Sequence, residues 1–149
     1  MNDRNELGSV VLPGTRRAPA QAREHLAKWL SGLPACDADT RDTVVLLLSE
    51  IVTNAVVHSE SGCEGGKVAV RAETVQGSIR VEVTDEGSAT NAPHLAPIHC
   101  DVEGGRGLHL VAAMAEDWGA RSGIRGQTTT WFSVLLAGAA EESRPAVLA

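Results

Sequence analysis

Aromatic residues are scarce in this chain: Trp29, Trp118, Trp131 and Phe132 make up 3% of its 149 residues, and tyrosine is missing altogether. The core must therefore be built from Val, Leu, Ile and Ala, and there is little on which single-stranded nucleic acid could stack. Positive charge is also in short supply. Thirteen Lys and Arg against nineteen Asp and Glu leave a formal charge of −6, which argues against a surface made to grip phosphate backbones. Cys36, Cys63 and Cys100 are too widely spaced to form a CxxC pair, so neither a zinc ribbon nor a thioredoxin-type redox site is suggested. No apolar run approaches the roughly 20 residues that span a bilayer, and the polar start of the chain does not resemble a signal peptide. These absences predict a cytoplasmic protein with no membrane segment and no direct nucleic-acid partner.

What is present fits one domain over residues 1–149, with a core at about 9–136 and loose ends at 1–6 and 141–149. Residues 7–12 form a strand candidate stopped by Pro13 and Gly14. Ala22, Leu26, Trp29 and Leu30 fall on one stripe and predict a helix over 18–31, ended by Gly32-Leu33-Pro34. Asp37 or Asp39 can cap a second helix running to about residue 58. Two strands follow at 67–74 and 78–84, with a tight turn at Gln76-Gly77; Ile79, Val81 and Val83 alternate with Arg80, Glu82 and Thr84. The stretch 85–105 lacks periodicity and reads as a lid or an insert. A helix over 107–117, with Leu108, Val111, Ala112 and Ala115 on one face, precedes strands near 119–122 and 127–136. Strands and helices do not alternate strictly, so the expected class is α+β. The predicted architecture is a two-layer sandwich: a mixed, mostly antiparallel sheet with helices on one face.

The second helix carries the first candidate site. Glu50, Asn54 and His58 recur at i, i+4 and i+8, while Leu47, Leu48, Ile51, Val52, Ala55 and Val56 occupy much of the remaining circumference. The stripe either faces solvent or floors a cleft. In a cleft, Asn54 offers a carbonyl oxygen to a hard cation such as magnesium, and Glu50 is placed to act as a base.

Glycine-bearing segments supply the second. Asp85-Glu86-Gly87 follows a strand, where an Asp makes an Asx turn or accepts from the exocyclic amine of a base, with Gly87 leaving room for a flat ring. Gly104-Gly105-Arg106-Gly107 leads into a helix, whose first amides suit phosphate oxygens, although such a run also serves as a plain turn. It is neither a P-loop nor a dinucleotide fingerprint. Thr128-Thr129-Thr130 reflects strand propensity or a hydroxyl aimed at phosphate.

Taken in order, the segments SEIVTNAVVHS (49–59), VTDEG (83–87), GGRGLHLVAAMAEDWG (104–119) and GQTTTWF (126–132) resemble the GHKL-type, or Bergerat-fold, ATP-binding domain. More narrowly, they look like the small serine/threonine kinases that act as bacterial anti-sigma factors. The resemblance covers about 9–136. It implies ATP and Mg2+, with Asn54 holding magnesium and Glu50 as general base on a partner's hydroxyl. Asp85 would accept from the adenine amine, and Gly87 would leave room for the base. Gly105, Gly107 and the amides near Leu108 would cradle phosphates. Arg106 would reach the terminal phosphate or a partner, and Thr129 would bond phosphate from the sheet. The implied partners are a sigma factor, held inactive, and a STAS-type anti-anti-sigma protein, which is phosphorylated; the implied assembly is a homodimer.

The chain departs from the pattern at two positions. Val57 stands where such proteins often carry a basic residue, and Ala89 replaces the second glycine of Asp-x-Gly-x-Gly. The first alters a partner surface and the second loosens the adenine pocket; neither removes a group that the chemistry requires. His58 is read as supporting the helix end, and His25 and His109 as partly exposed helix residues. Arg16, Arg17 and Arg23 are read as a solvated face. His94, His99, Cys100 and Asp101 crowd the lid without the spacing of a familiar metal site. The alternative function is a nucleotide-dependent binding module that transfers no phosphate; a metabolic enzyme with a small acceptor lacks a second substrate-binding segment.

Overall fold

The computed structural model describes residues 4–58, 62–87 and 105–136, with the backbone alone for 105–108. The expected lid residues His94, His99, Cys100 and Asp101, together with Ala89 and the end at 141–149, lie outside the described residues, as do the side chains of Arg106 and Leu108.

Five strands form one sheet in the order β1-β2-β3-β5-β4: β1 Arg4–Pro13, β2 Lys67–Val75, β3 Ser78–Asp85, β4 Asp117–Ser122 and β5 Thr128–Leu135. The α+β sandwich is as expected, and among the described residues all four pairings are antiparallel where a mixed, mostly antiparallel sheet was expected. The hairpins β2–β3 and β4–β5 reverse the chain locally, and the longer connections bring β1 and β5 in antiparallel as well. Alternation builds the inner face: Val68, Val70 and Ala72 of β2, Ile79, Val81 and Val83 of β3, and Phe132 of β5 are all buried.

Among the described residues three helices cover that face: α1 Ala18–Ser31, α2 Ala38–His58 and α3 Gly105–Met114. In α1 the spacing of Ala18, Ala22, Leu26 and Leu30 lays one stripe into the core. The two small residues let its first turns lie close to the sheet. Asp37 caps α2, its Oδ1 accepting from the Thr40 amide at 2.7 Å. That bond and a further one to the Thr40 side chain hold the Asp37 carboxyl below its ordinary range. Val44, Leu47, Leu48, Ile51, Val52 and Ala55 bury α2 between the sheet and its neighbours.

Three elements, β1, α3 and β4, have ends that differ from those expected by two residues or more. Residues 4–6, expected to be loose, are strand, because Arg4 pairs with Val75 in the ladder and its guanidinium meets Glu73 at 2.9 Å. The third helix starts and stops earlier than 107–117, since Asp117 and Trp118 are taken up opposite Ser133 and Phe132. Ala112 is exposed, while Val111 is buried and Leu110 packs against the core.

The outer face of the sheet carries ion pairs where the inner face carries apolar side chains. Arg71, Arg80 and Arg121 converge on Glu82 at 3.3, 3.2 and 3.5 Å, respectively. The Arg80 guanidinium also stacks on Trp131, 4.1 Å from the ring centroid. Phe132 and Trp131 thus pack opposite sides of the sheet.

Candidate functional site

Glu50 and Asn54 lie one turn apart on α2, and both are half-buried. These two therefore sit at the border of the helix's buried face, while His58, the third member of the stripe, is exposed. Within the stripe, Asn54 Oδ1 is buried and has no hydrogen-bond partner among the described residues. A buried carbonyl oxygen without a donor costs free energy of order 1–3 kcal/mol. It is therefore a position where a bound cation or donor restores what folding removed, and its oxygen chemistry suits magnesium. His58 stands in the last turn of α2, where a basic residue complements the helix dipole.

Asp85 closes β3 and is 8% exposed. Its Oδ1 accepts the Gly87 amide at 2.6 Å, so the Asx turn is real. The two sequence readings are compatible, because one oxygen satisfies the turn and a carboxylate has two. Burial pushes the Asp85 carboxyl above its ordinary 3.8, against the Gly87 hydrogen bond, and neighbouring Glu86 adds to the rise. Gly87 has a φ of 80°, a left-handed conformation that favours glycine. A Cβ at this position would collide with the Gly126 carbonyl. The glycine is thus needed for its own turn and for the approach of a neighbouring loop, in addition to any room it leaves for a base.

The register of the final strand divides its three threonines between the two sides of the sheet. Asp85 stands opposite Thr128, Thr84 opposite Thr129 and Val83 opposite Thr130. Because facing residues share a side of the sheet, Thr128 and Thr130 lie on the inner side with Asp85 and Val83. Thr129 lies on the outer side, where its hydroxyl shares a 2.9 Å hydrogen bond with that of Thr84. The hydroxyls on the candidate site's side are those of Thr128 and Thr130, both 4% exposed. Counting back by twos from Phe132 finds them only once the structure shows that Phe132, and not Trp131, enters the core.

The backbone of Gly105 and Gly107 forms the first turn of α3, and that turn carries no acidic side chain to compete with an anion for its amides. Elsewhere, Arg23 donates to Ser49 Oγ at 2.8 Å, so it is tied to α2 rather than freely solvated. Arg16 and Arg17 are exposed, and His25 and His109 are half-buried. No cluster of metal-ligating side chains occurs among the described residues. Cys36 and Cys63 are unpaired, with Cys63 exposed; burial raises the Cys36 thiol pKa. No helix among the described residues is long and apolar enough to cross a membrane.

With this geometry in place, the comparison with known families is specific: a histidine kinase-like ATPase domain matches residues 12–133. No curated protein matches the chain.

Proposed function

The chain belongs to the histidine kinase-like ATPase domain family, and from that premise we propose that it is an anti-sigma factor with ATP-dependent serine/threonine kinase activity. In this reading it holds a sigma factor inactive, phosphorylates a STAS-type anti-anti-sigma protein and acts as a homodimer. The observation that carries the proposal is the orphaned Asn54 oxygen, one turn beyond Glu50 on the same buried helix.

Asn54 would hold magnesium, which when bound neutralises charge on the phosphates. Glu50 would take the proton from a partner's serine or threonine hydroxyl. The hydroxyl oxygen then bonds to the γ-phosphorus as the bond to the β-phosphate bridging oxygen breaks, and ADP leaves. Asp85, with Oδ1 engaged by Gly87, would present Oδ2 to the adenine amine, a donor that guanine replaces with a carbonyl. The amides of Gly105, Gly107 and Leu108 would receive phosphate oxygens, and Arg106 the terminal phosphate or the partner. On the sheet side, the register favours Thr128 or Thr130 over Thr129 for a contact with nucleotide. A phosphate on the partner adds about −1.5 to −2 charge, enough to expel it from a fitted interface.

The test is incubation with Mg-ATP and a panel of STAS proteins. Transfer to one of them, abolished by Glu50→Gln, is the expected result. ATP binding without transfer to any of them would favour a nucleotide-dependent regulatory module. Absence of ATP binding, unaltered by Asn54→Ala, would remove the reading entirely.

A further inference from the structure

The turn between β4 and β5 is held by main-chain hydrogen bonds and by one side chain. Gln127 Oε1 accepts the Arg125 amide at 3.0 Å, and its carboxamide lies where any side chain on residue 123 would collide. The main chain closes the same turn, with the Gly123 amide donating to the Gln127 carbonyl at 2.7 Å and the Gly126 amide to the Gly123 carbonyl at 3.1 Å. Gly126, at a φ of 86°, sets its carbonyl against the Cα of Gly87, in the space a Cβ would need. Gly87 in turn donates to Asp85 Oδ1. A continuous line of contacts therefore runs from the Gln127 carboxamide, through the turn and Gly126, to the Asp85 carboxylate.

The β3–β5 ladder secures the backbone of Asp85 opposite Thr128, but it does not set the rotation of the carboxylate about its side-chain bonds. One carboxylate oxygen is held by the Gly87 amide, and the Gly126 carbonyl stands against Gly87. We infer that Gln127 is a positioning residue that fixes which way Asp85 faces, and hence which nucleobase the site accepts. The inference rests on the reading of Asp85 as the acceptor of the adenine amine. A turn without the Gln127 acceptor lets Gly126 withdraw from Gly87. The carboxylate then rotates, and the preference for an amine donor weakens before the fold does.

The experiment compares Kd for ATP and GTP, by equilibrium titration of the full chain, in wild type, Asp85→Asn, Gln127→Met, Gln127→Glu and the double variant Asp85→Asn/Gln127→Met. Asp85→Asn puts an amide donor where the amine should be accepted, so the ATP-over-GTP ratio should fall by about tenfold or more. Gln127→Met keeps length but removes the acceptor and should lower the ratio by about fivefold. Gln127→Glu keeps an acceptor at the Arg125 amide and should restore it. In the double variant, the Gln127 change should have no further effect on the ratio, a coupling that a purely structural role would not produce. Should Gln127→Met fold poorly, Gln127→Ala removes the same acceptor with less bulk. A wild-type ratio in Gln127→Met beside a reduced ratio in Asp85→Asn overturns the inference and leaves the Asp85 reading standing. A wild-type ratio in Asp85→Asn overturns both.

Discussion

Thr84 and Thr129 share a 2.9 Å hydrogen bond across β3 and β5, on the face of the sheet turned away from the helices. The pair engages the hydroxyl of the middle threonine of Thr128-Thr129-Thr130 on the side away from Asp85. Thr129→Val should leave nucleotide affinity unchanged and lower stability by about 1 kcal/mol, since Thr84 loses its partner. Thr84→Val/Thr129→Val should recover most of that loss. Thr130→Val should weaken ATP binding instead. Urea melts and ATP titrations on wild type and these three variants separate the outcomes; weakened ATP binding in Thr129→Val alone would reverse the assignment.

Asn54→Ala removes a buried oxygen that has no partner in the described structure. Its stability should therefore stay within about 1 kcal/mol of wild type, because no hydrogen bond is lost. Magnesium-dependent ATP affinity should drop by about tenfold or more, as for loss of a contact to a charged group. A large loss of stability would mean that the amide is structural.

Asp85 gives a pH signature. Its folded-state carboxyl pKa lies above 3.8, so between that value and the raised one the native state binds more protons than the unfolded chain. Stability from this group is therefore full below 3.8 and lost as pH rises through the folded-state value. Ionised Asp85 is a cost in the free protein, and an amine donor relieves it. The ATP-over-GTP ratio should accordingly fall on acidification at a higher pH than an ordinary aspartate would give. Asp85→Asn should abolish this dependence and raise the stability of the nucleotide-free protein near neutral pH. Titrations and melts across a pH series test both signs.

Gly8 lies beneath Trp29 so closely that a Cβ would enter the indole. Gly119 is nearly as close to Trp131, a Cβ there falling 2.9 Å from Cζ2. Gly8→Ala should cost about 1–3 kcal/mol through overpacking and shift tryptophan emission. Gly119→Ala should cost less, because a Cβ there stands farther from the indole than one at Gly8 would. Equal costs would contradict the difference in closeness.

Much of the scaffold was legible before any coordinates. The helix over 18–31, a cap at Asp37 or Asp39 (the structure takes Asp37), the β2–β3 hairpin and the alternation of Ile79, Val81 and Val83 are local patterns. The Glu50–Asn54 stripe and the Asp85 turn are also short-range signals, legible as spacing. The ends of elements were less so: residues 4–6 and 117–118 follow partners distant in sequence, Glu73 and β5, and not their own composition.

What the sequence determined by itself is period: where the chain repeats every 3.6 residues or every two, and so which residues can share a side. It could not choose the side on which Thr129 falls, because three threonines in a row fit either phase and only pairing with β3 sets it. Nor could it bring Gly126 against Gly87, or leave Asn54 Oδ1 without a donor; both depend on packing between segments far apart in the chain. The chemical groups were readable one by one. Tertiary structure decided which of them face one another, because register and packing are long-range constraints that no local pattern encodes.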